Sequence, residues 1–159
     1  MWHFYKTATQ SISSSTWTTV AYNYVAADSD GVYAGGTVGE ATIVTQGYYV
    51  VEACAGALTS AAQGFYTRFL WTAGTHNVNY SSGTSLVFGQ TGGETNGQAN
   101  QDAQLCFSAP CPYVCYPGDT IQAQVFSTGA ISLAYNENVS YLKGRFAANF
   151  TGYWLRTGS

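Results

Sequence analysis

Charge is what this sequence has least of. Of its 159 residues only 8% are Asp, Glu, Lys or Arg, against about 25% in an average soluble domain. Five Lys and Arg stand against eight Asp and Glu, for a net charge of −3. The cations are scattered, so nothing here gathers nucleic acid or anionic lipid. Long apolar runs are missing too. No stretch approaches the roughly eighteen residues of a membrane helix, and no membrane insertion is expected. Met1-Trp2-His3-Phe4-Tyr5-Lys6 runs into polar Thr and Ser, which is not the pattern of a signal peptide. With Met1 as the natural start, the expected place of synthesis is a cytosol.

The usual chemistry is equally thin. There is no phosphate-binding glycine loop and no dinucleotide fingerprint. Two histidines occur, and His76 lies in the polar run Gly74-Thr75-His76-Asn77, which reads as a surface loop. A glycosidase needs two facing carboxylates. Glu52, Glu94, Asp102, Asp119 and Glu137 offer no pair that stands out. Asp28-Ser29-Asp30-Gly31 opens like a calcium loop but lacks the later ligands and the closing Glu, so it reads as a turn. The expectation is a protein that is not an enzyme, with no cofactor and no metal.

What remains is apolar, aromatic and small-polar. Apolar residues make up 46%, and there are thirteen Tyr, eight Phe and four Trp. These are strand formers and interface residues. At this length the chain is one domain, 1–159, with enough bulk for a real core. Tyr116-Pro117-Gly118-Asp119 is a type II turn in sequence, with Pro second and Gly third. Beyond it, Ile121, Ala123 and Val125 alternate with Thr120, Gln122 and Gln124, as in a half-buried antiparallel strand. Tyr48 to Ala57, Gly64 to Thr72 and Ala103 to Phe107 read the same way. Thr16 to Tyr24 reads as an early strand, and residues 1–9 as an N-terminal arm or edge strand. Glu40 to Thr45 reads as hairpin partner to Tyr48 to Ala57, and Ile131 to Tyr135 as hairpin partner to Val139 to Phe146. Val78 to Tyr80 and Ser85 to Phe88 read as short strands. Gly89 to Gln101 has no apolar periodicity, reads as a surface loop, and belongs to a polar insertion ending at Gln104. About eight to ten short strands with almost no helix make an all-β sandwich or barrel.

Four cysteines are present. Cys106, Cys111 and Cys115 are clustered and Cys54 is distant. One reading is a disulfide within the cluster, most simply Cys106 with Cys111 or Cys111 with Cys115. Free buried thiols and a four-thiolate zinc site are the others, and four cysteines allow three pairings that sequence does not separate. Cys54 lies in an apolar strand, where a free Cys behaves as a small hydrophobe. Tyr33, Tyr66, Trp71, Tyr80, Tyr141, Tyr153 and Trp154 are the aromatic candidates for stacking on a sugar or packing between subunits.

Three stretches together resemble a known family. They are Gly47-Tyr48 opening an aromatic strand, Pro117-Gly118-Asp119 opening another, and Phe150-Thr151-Gly152-Tyr153-Trp154-Leu155 closing the chain. In order and spacing they resemble the C1q/TNF-like jelly roll, in the form found in bacteriophage tail and virion proteins. The resemblance runs over about residues 10 to 157. It implies an antiparallel jelly-roll sandwich that assembles as a homotrimer, with Tyr48 to Ala57 and Val139 to Leu155 toward the axis. It also implies a role as a minor tail or fibre-head protein in a virion. The partners would be other virion proteins and a host-surface glycan. A capsid decoration protein, or a secreted extracellular recognition domain of the same fold, is the alternative.

Overall fold

The computed structural model describes residues 1–32, 39–58, 62–94, 102–136 and 138–148. Twelve strands and no helix occur among them. In chain order they are β1 (Trp2–Tyr5), β2 (Gln10–Ile12), β3 (Thr18–Thr19), β4 (Tyr24–Asp28), β5 (Glu40–Thr42) and β6 (Tyr48–Leu58). There follow β7 (Gly64–Thr72), β8 (Ser85–Glu94), β9 (Asp102–Pro110), β10 (Thr120–Ser127), β11 (Ile131–Leu133) and β12 (Tyr141–Ala148). They form two antiparallel sheets. The larger runs β2-β11-β6-β12-β1-β4, with β9 on the other side of β6. The smaller runs β3-β10-β7-β8, with β5 also on β10. This is the expected jelly-roll sandwich.

Alternation builds the core. Tyr49, Val51, Ala53, Ala55 and Ala57 of β6 point inward, as do Phe65, Phe69 and Trp71 of β7 and Ile121, Ala123 and Val125 of β10. Trp2, Phe4, Ile12, Ile131, Leu133 and Leu142 add to the larger sheet's contribution. Trp2 faces Gly144 across the β1–β12 pair. A Cβ at Gly144 would overlap the Trp2 indole, so glycine there makes the room the ring occupies. The turn before β10 is as its sequence indicates. Tyr116 C=O accepts from Asp119 N–H at 3.0 Å, and Gly118 has φ +89, the positive value a type II turn requires.

Several readings of the strands need correction. β1 pairs with β12 on one side and β4 on the other, so residues 2–5 are neither an arm nor an edge. β5 hydrogen-bonds β10 in the smaller sheet while β6 lies in the larger, so the two form no hairpin. β11 and β12 both lie along β6 and do not pair with each other. Thr16 to Tyr24 is broken into the two-residue β3 and a separate segment leading to β4. Residues 78–80 are loop. Gly89 to Glu94, expected as the start of a loop, continues β8 past a bulge and pairs with β7. At the other end of that stretch Asp102 to Gln104 belong to β9. Phe150 to Leu155 lie outside the described residues, and the last described strand is β12.

Candidate functional site

The outward face of the larger sheet gathers the most aromatic and ionisable groups. Even-numbered residues of β6 and odd-numbered residues of β12 and β1 point there. Strand register stacks them into rows. One row crosses the sheet from Tyr24 to Tyr5, Tyr141, Cys54 and Cys106. The next runs from His3 to Lys143, Glu52 and Ser108. Tyr5 and Tyr24 have ring centroids 4.7 Å apart, and His3 meets Tyr141 edge-on at 5.7 Å. The Tyr141 hydroxyl donates to Glu52 at 2.5 Å, and Lys143 Nζ lies 4.1 Å from the Tyr141 ring centroid. Burial, with Glu52 beside it, pushes the Tyr141 phenol up to about 12. A cavity of about 180 Å³ opens on this face between Val50, Glu52, Ser108, Lys143 and Arg145. Tyr24 is 51% exposed, and Tyr48 at the far end of β6 is also exposed. Such a surface joins aromatic rings to hydrogen-bonding tips, the mix of apolar body and polar handle common where proteins meet.

The row ends in a covalent link. Cys54 and Cys106 lie opposite each other in register, with Cα atoms 4.0 Å apart, and are joined as a disulfide. The expected pairing of Cys106 with Cys111 is therefore excluded. Cys106 reaches back to Cys54, and Cys111 and Cys115 remain thiols. Their sulfurs are 3.7 Å apart. Chain spacing favours near neighbours, but pairing of β6 with β9 brings residues 52 positions apart face to face.

A second concentration of groups lies at one end of the sandwich. The buried Asp119 carboxylate accepts from Gly74 N at 2.7 Å, from Asn77 Nδ2 at 2.9 Å and from Tyr116 N at 2.9 Å. It ties the 74–77 loop to the turn before β10. Tyr80 and Tyr113 flank Trp71, at 5.2 and 5.0 Å between centroids. Trp71 itself is fully buried, so it presents nothing to a ligand, whereas Tyr80 is exposed. His76 is exposed in the same loop.

The outward face of the smaller sheet holds Tyr66 next to Phe126, 6.0 Å away, and Phe126 next to Trp17 at 5.5 Å. The Arg68 guanidinium covers the Trp17 ring at 4.0 Å and donates to Gln124 at 2.9 Å. The aromatic candidates are thus not one site. Tyr141 is on the larger sheet, Tyr66 on the smaller, and Tyr80 at the end. Tyr33, Tyr153 and Trp154 lie outside the described residues. Sequence reasoning did not single out His3, Tyr5, Tyr24 and Lys143, and weighed Glu52 only as half of a carboxylate pair. The parity of the alternation within each strand was the signal that could have found their face. Among the described residues no cluster of three or more His, Cys, Asp or Glu is placed to hold a metal.

No family model and no curated sequence matches the chain. Solved structures do. The globular domain of zebrafish complement 1qA protein superposes with a TM-score of 0.55 at 12% identity, over 93% of this chain and 97% of that one. Eiger TNF from S. frugiperda gives 0.55 at 16%, over 93% and 92%. Murine APRIL gives 0.58 at 13%, over 90% and 94%. The fold is that of the C1q and TNF domains. At these identities the likeness speaks for the path of the chain and not for any residue's role. The tyrosine row lies on the outward face of this chain's larger sheet, across β4, β1, β12, β6 and β9.

Proposed function

We propose that this chain is a non-enzymatic recognition domain that works as a homotrimer, each subunit laying the outward face of its larger sheet against two copies. The observation that carries this is the row Tyr24, Tyr5, Tyr141 and the Cys54–Cys106 link, flanked by His3, Lys143 and Glu52. Exposed, it is a broad amphipathic surface on a protein with few charges to keep copies apart. Buried against itself, it keeps its hydroxyls and charged groups wet at the rim and its rings dry. A closed three-fold arrangement sets three loop ends side by side, so weak contacts to a repeated glycan or lattice add up.

The setting we propose is a bacteriophage virion, as a minor tail or fibre-head protein facing the host surface. The sequence resemblance supports it. So does the disulfide, since such bonds persist in oxidising surroundings that include virion surfaces. The same bond suits a secreted recognition domain, which is the second reading. Mass spectrometry of purified particles against culture supernatant separates the two.

Light scattering at micromolar concentration tests the assembly. The expected mass is three times the chain's 17.0 kDa; the mass of a single chain overturns the proposal. Tyr24→Glu places a carboxylate in the row on an exposed side chain. It is expected to yield folded single chains by the same measurement, with an unchanged far-UV spectrum.

A further inference from the structure

The two remaining cysteines form a site that the recognition function does not use. Cys111 follows β9 and Cys115 leads into the turn before β10. Both are buried, at 2% and 0% exposure. Each is pinned by its backbone to the same short stretch of chain. Cys111 N–H donates to Tyr49 C=O at 2.8 Å. Cys115 and Gly47 exchange both of their backbone bonds, at 2.9 and 3.0 Å. Gly47 and Tyr49 are two residues apart on extended chain, a rise of roughly 6–7 Å. These backbone bonds anchor the two cysteines side by side on that stretch. The sulfurs already face each other at 3.7 Å, and the other two cysteines are taken up by each other.

We propose that Cys111 and Cys115 are a redox-active dithiol that a low-molecular-weight disulfide, such as oxidised glutathione, closes into a second, local disulfide. The order of events follows from the hydrogen bond between them. Cys115 S–H donates to Cys111 Sγ, which holds Cys111 below the usual thiol range, while that same bond and burial push Cys115 up. Cys111 is therefore the attacking thiolate. It displaces one glutathione from the oxidant, breaking the oxidant's S–S bond and forming a mixed disulfide; the departing thiolate takes up a proton. Cys115, losing its proton to solvent, then attacks the Cys111 sulfur and expels the second glutathione. Two protein thiols are oxidised, and one glutathione disulfide is reduced to two thiols. Cys111 is covered in the folded chain, so the exchange takes place during folding or on local opening of residues 111–116.

The closed ring contains Tyr113, whose side chain packs on Trp71 and Tyr80 at 5.0 and 6.0 Å. It would fix the loop end that carries Tyr80, so the redox state sets how rigid that end is. The inference stands whether or not the chain trimerises, because every contact it uses lies within one subunit.

Chymotrypsin tests it, since Tyr113 lies between the two cysteines. The wild-type chain is refolded in a mixture of reduced and oxidised glutathione, alkylated in denaturant without reduction, and digested. The expected result is a pair of peptides, cut after Tyr113, that stay linked and separate on reduction. The Cys54–Cys106 peptides serve as the internal control. Protein refolded under reducing conditions and alkylated only at its free thiols carries label at Cys111 and Cys115. Three results overturn the proposal: both cysteines alkylated after oxidative refolding, both carrying glutathione, or either one cross-linked to Cys54 or Cys106. A Cys111→Ser variant is expected to leave Cys115 alkylated and Cys54–Cys106 intact; Cys115 found in any intramolecular link refutes the pairing as well.

Discussion

The link between Cys54 and Cys106 gives the sharpest quantitative expectation. It joins residues 52 apart in sequence on strands that pair without a break from Val50↔Pro110 to Leu58↔Asp102. The native register is held without it, so the double substitution Cys54→Ala, Cys106→Ala should leave the fold in place. What the bond removes is freedom in the unfolded chain. For a loop of this length the entropy model gives about 4 kcal/mol at 25 °C. In a domain of this size that corresponds to a fall of about 8–16 °C in Tm. The released chain also exposes more surface on unfolding, so the denaturant m-value should rise. Guanidinium titrations of both proteins, followed by tryptophan fluorescence and matched in protomer concentration because association adds to apparent stability, read the free energy and the m-value, and thermal melts read the Tm. A stability loss under about 1 kcal/mol with an unchanged m-value would refute the reasoning. It would mean that the unfolded chain keeps β6 and β9 together by itself.

Three further outcomes are expected. Asp119→Ala strips the acceptor from three donors, two of them backbone N–H groups, and should cost about 3–5 kcal/mol; Asp119→Asn, which keeps one oxygen, should cost less. A urea midpoint for the Ala variant close to wild type would show that water replaces the carboxylate. Gly144→Val drives a side chain into the Trp2 indole and should cost about 3 kcal/mol with a shifted tryptophan emission; an unshifted spectrum with wild-type stability counts against the packing described. Lys6 is buried, with Nζ donating to Ala21 C=O at 2.9 Å and Gln10 Oε1 at 3.1 Å, and burial lowers its ammonium to about 8. The folded state then binds fewer protons than the unfolded state between about pH 8 and 10.5, so this group's contribution to stability rises with pH across that window. The difference in unfolding free energy between wild type and Lys6→Met, measured from pH 7 to 10, should follow that rise; a flat difference denies the shift.

Sequence by itself determined the local choices. The alternation of Ile121, Ala123 and Val125, or of Tyr49, Val51 and Ala53, fixes both the strand and the side it buries, because side chains on extended backbone alternate strictly. Pro117 and Gly118 fix the turn before β10 through their own φ preferences. The low charge and the abundance of tyrosine gave the character of the surface. Alternation is silent on partners, since any strand with one apolar face satisfies any other. For that reason β5 was assigned to a hairpin it does not make, and β11 was paired with β12 when both lie on β6. Gly89 to Glu94 could not be read as strand because backbone bonds to β7 hold it there, and such bonds leave no mark on side-chain pattern. The face that carries the tyrosine row is likewise a product of register. Tyr24, Tyr5 and Tyr141 lie far apart in the chain and become neighbours only when β4, β1 and β12 lie side by side. The same holds for Cys54 and Cys106, which the pairing of β6 with β9 sets directly opposite each other.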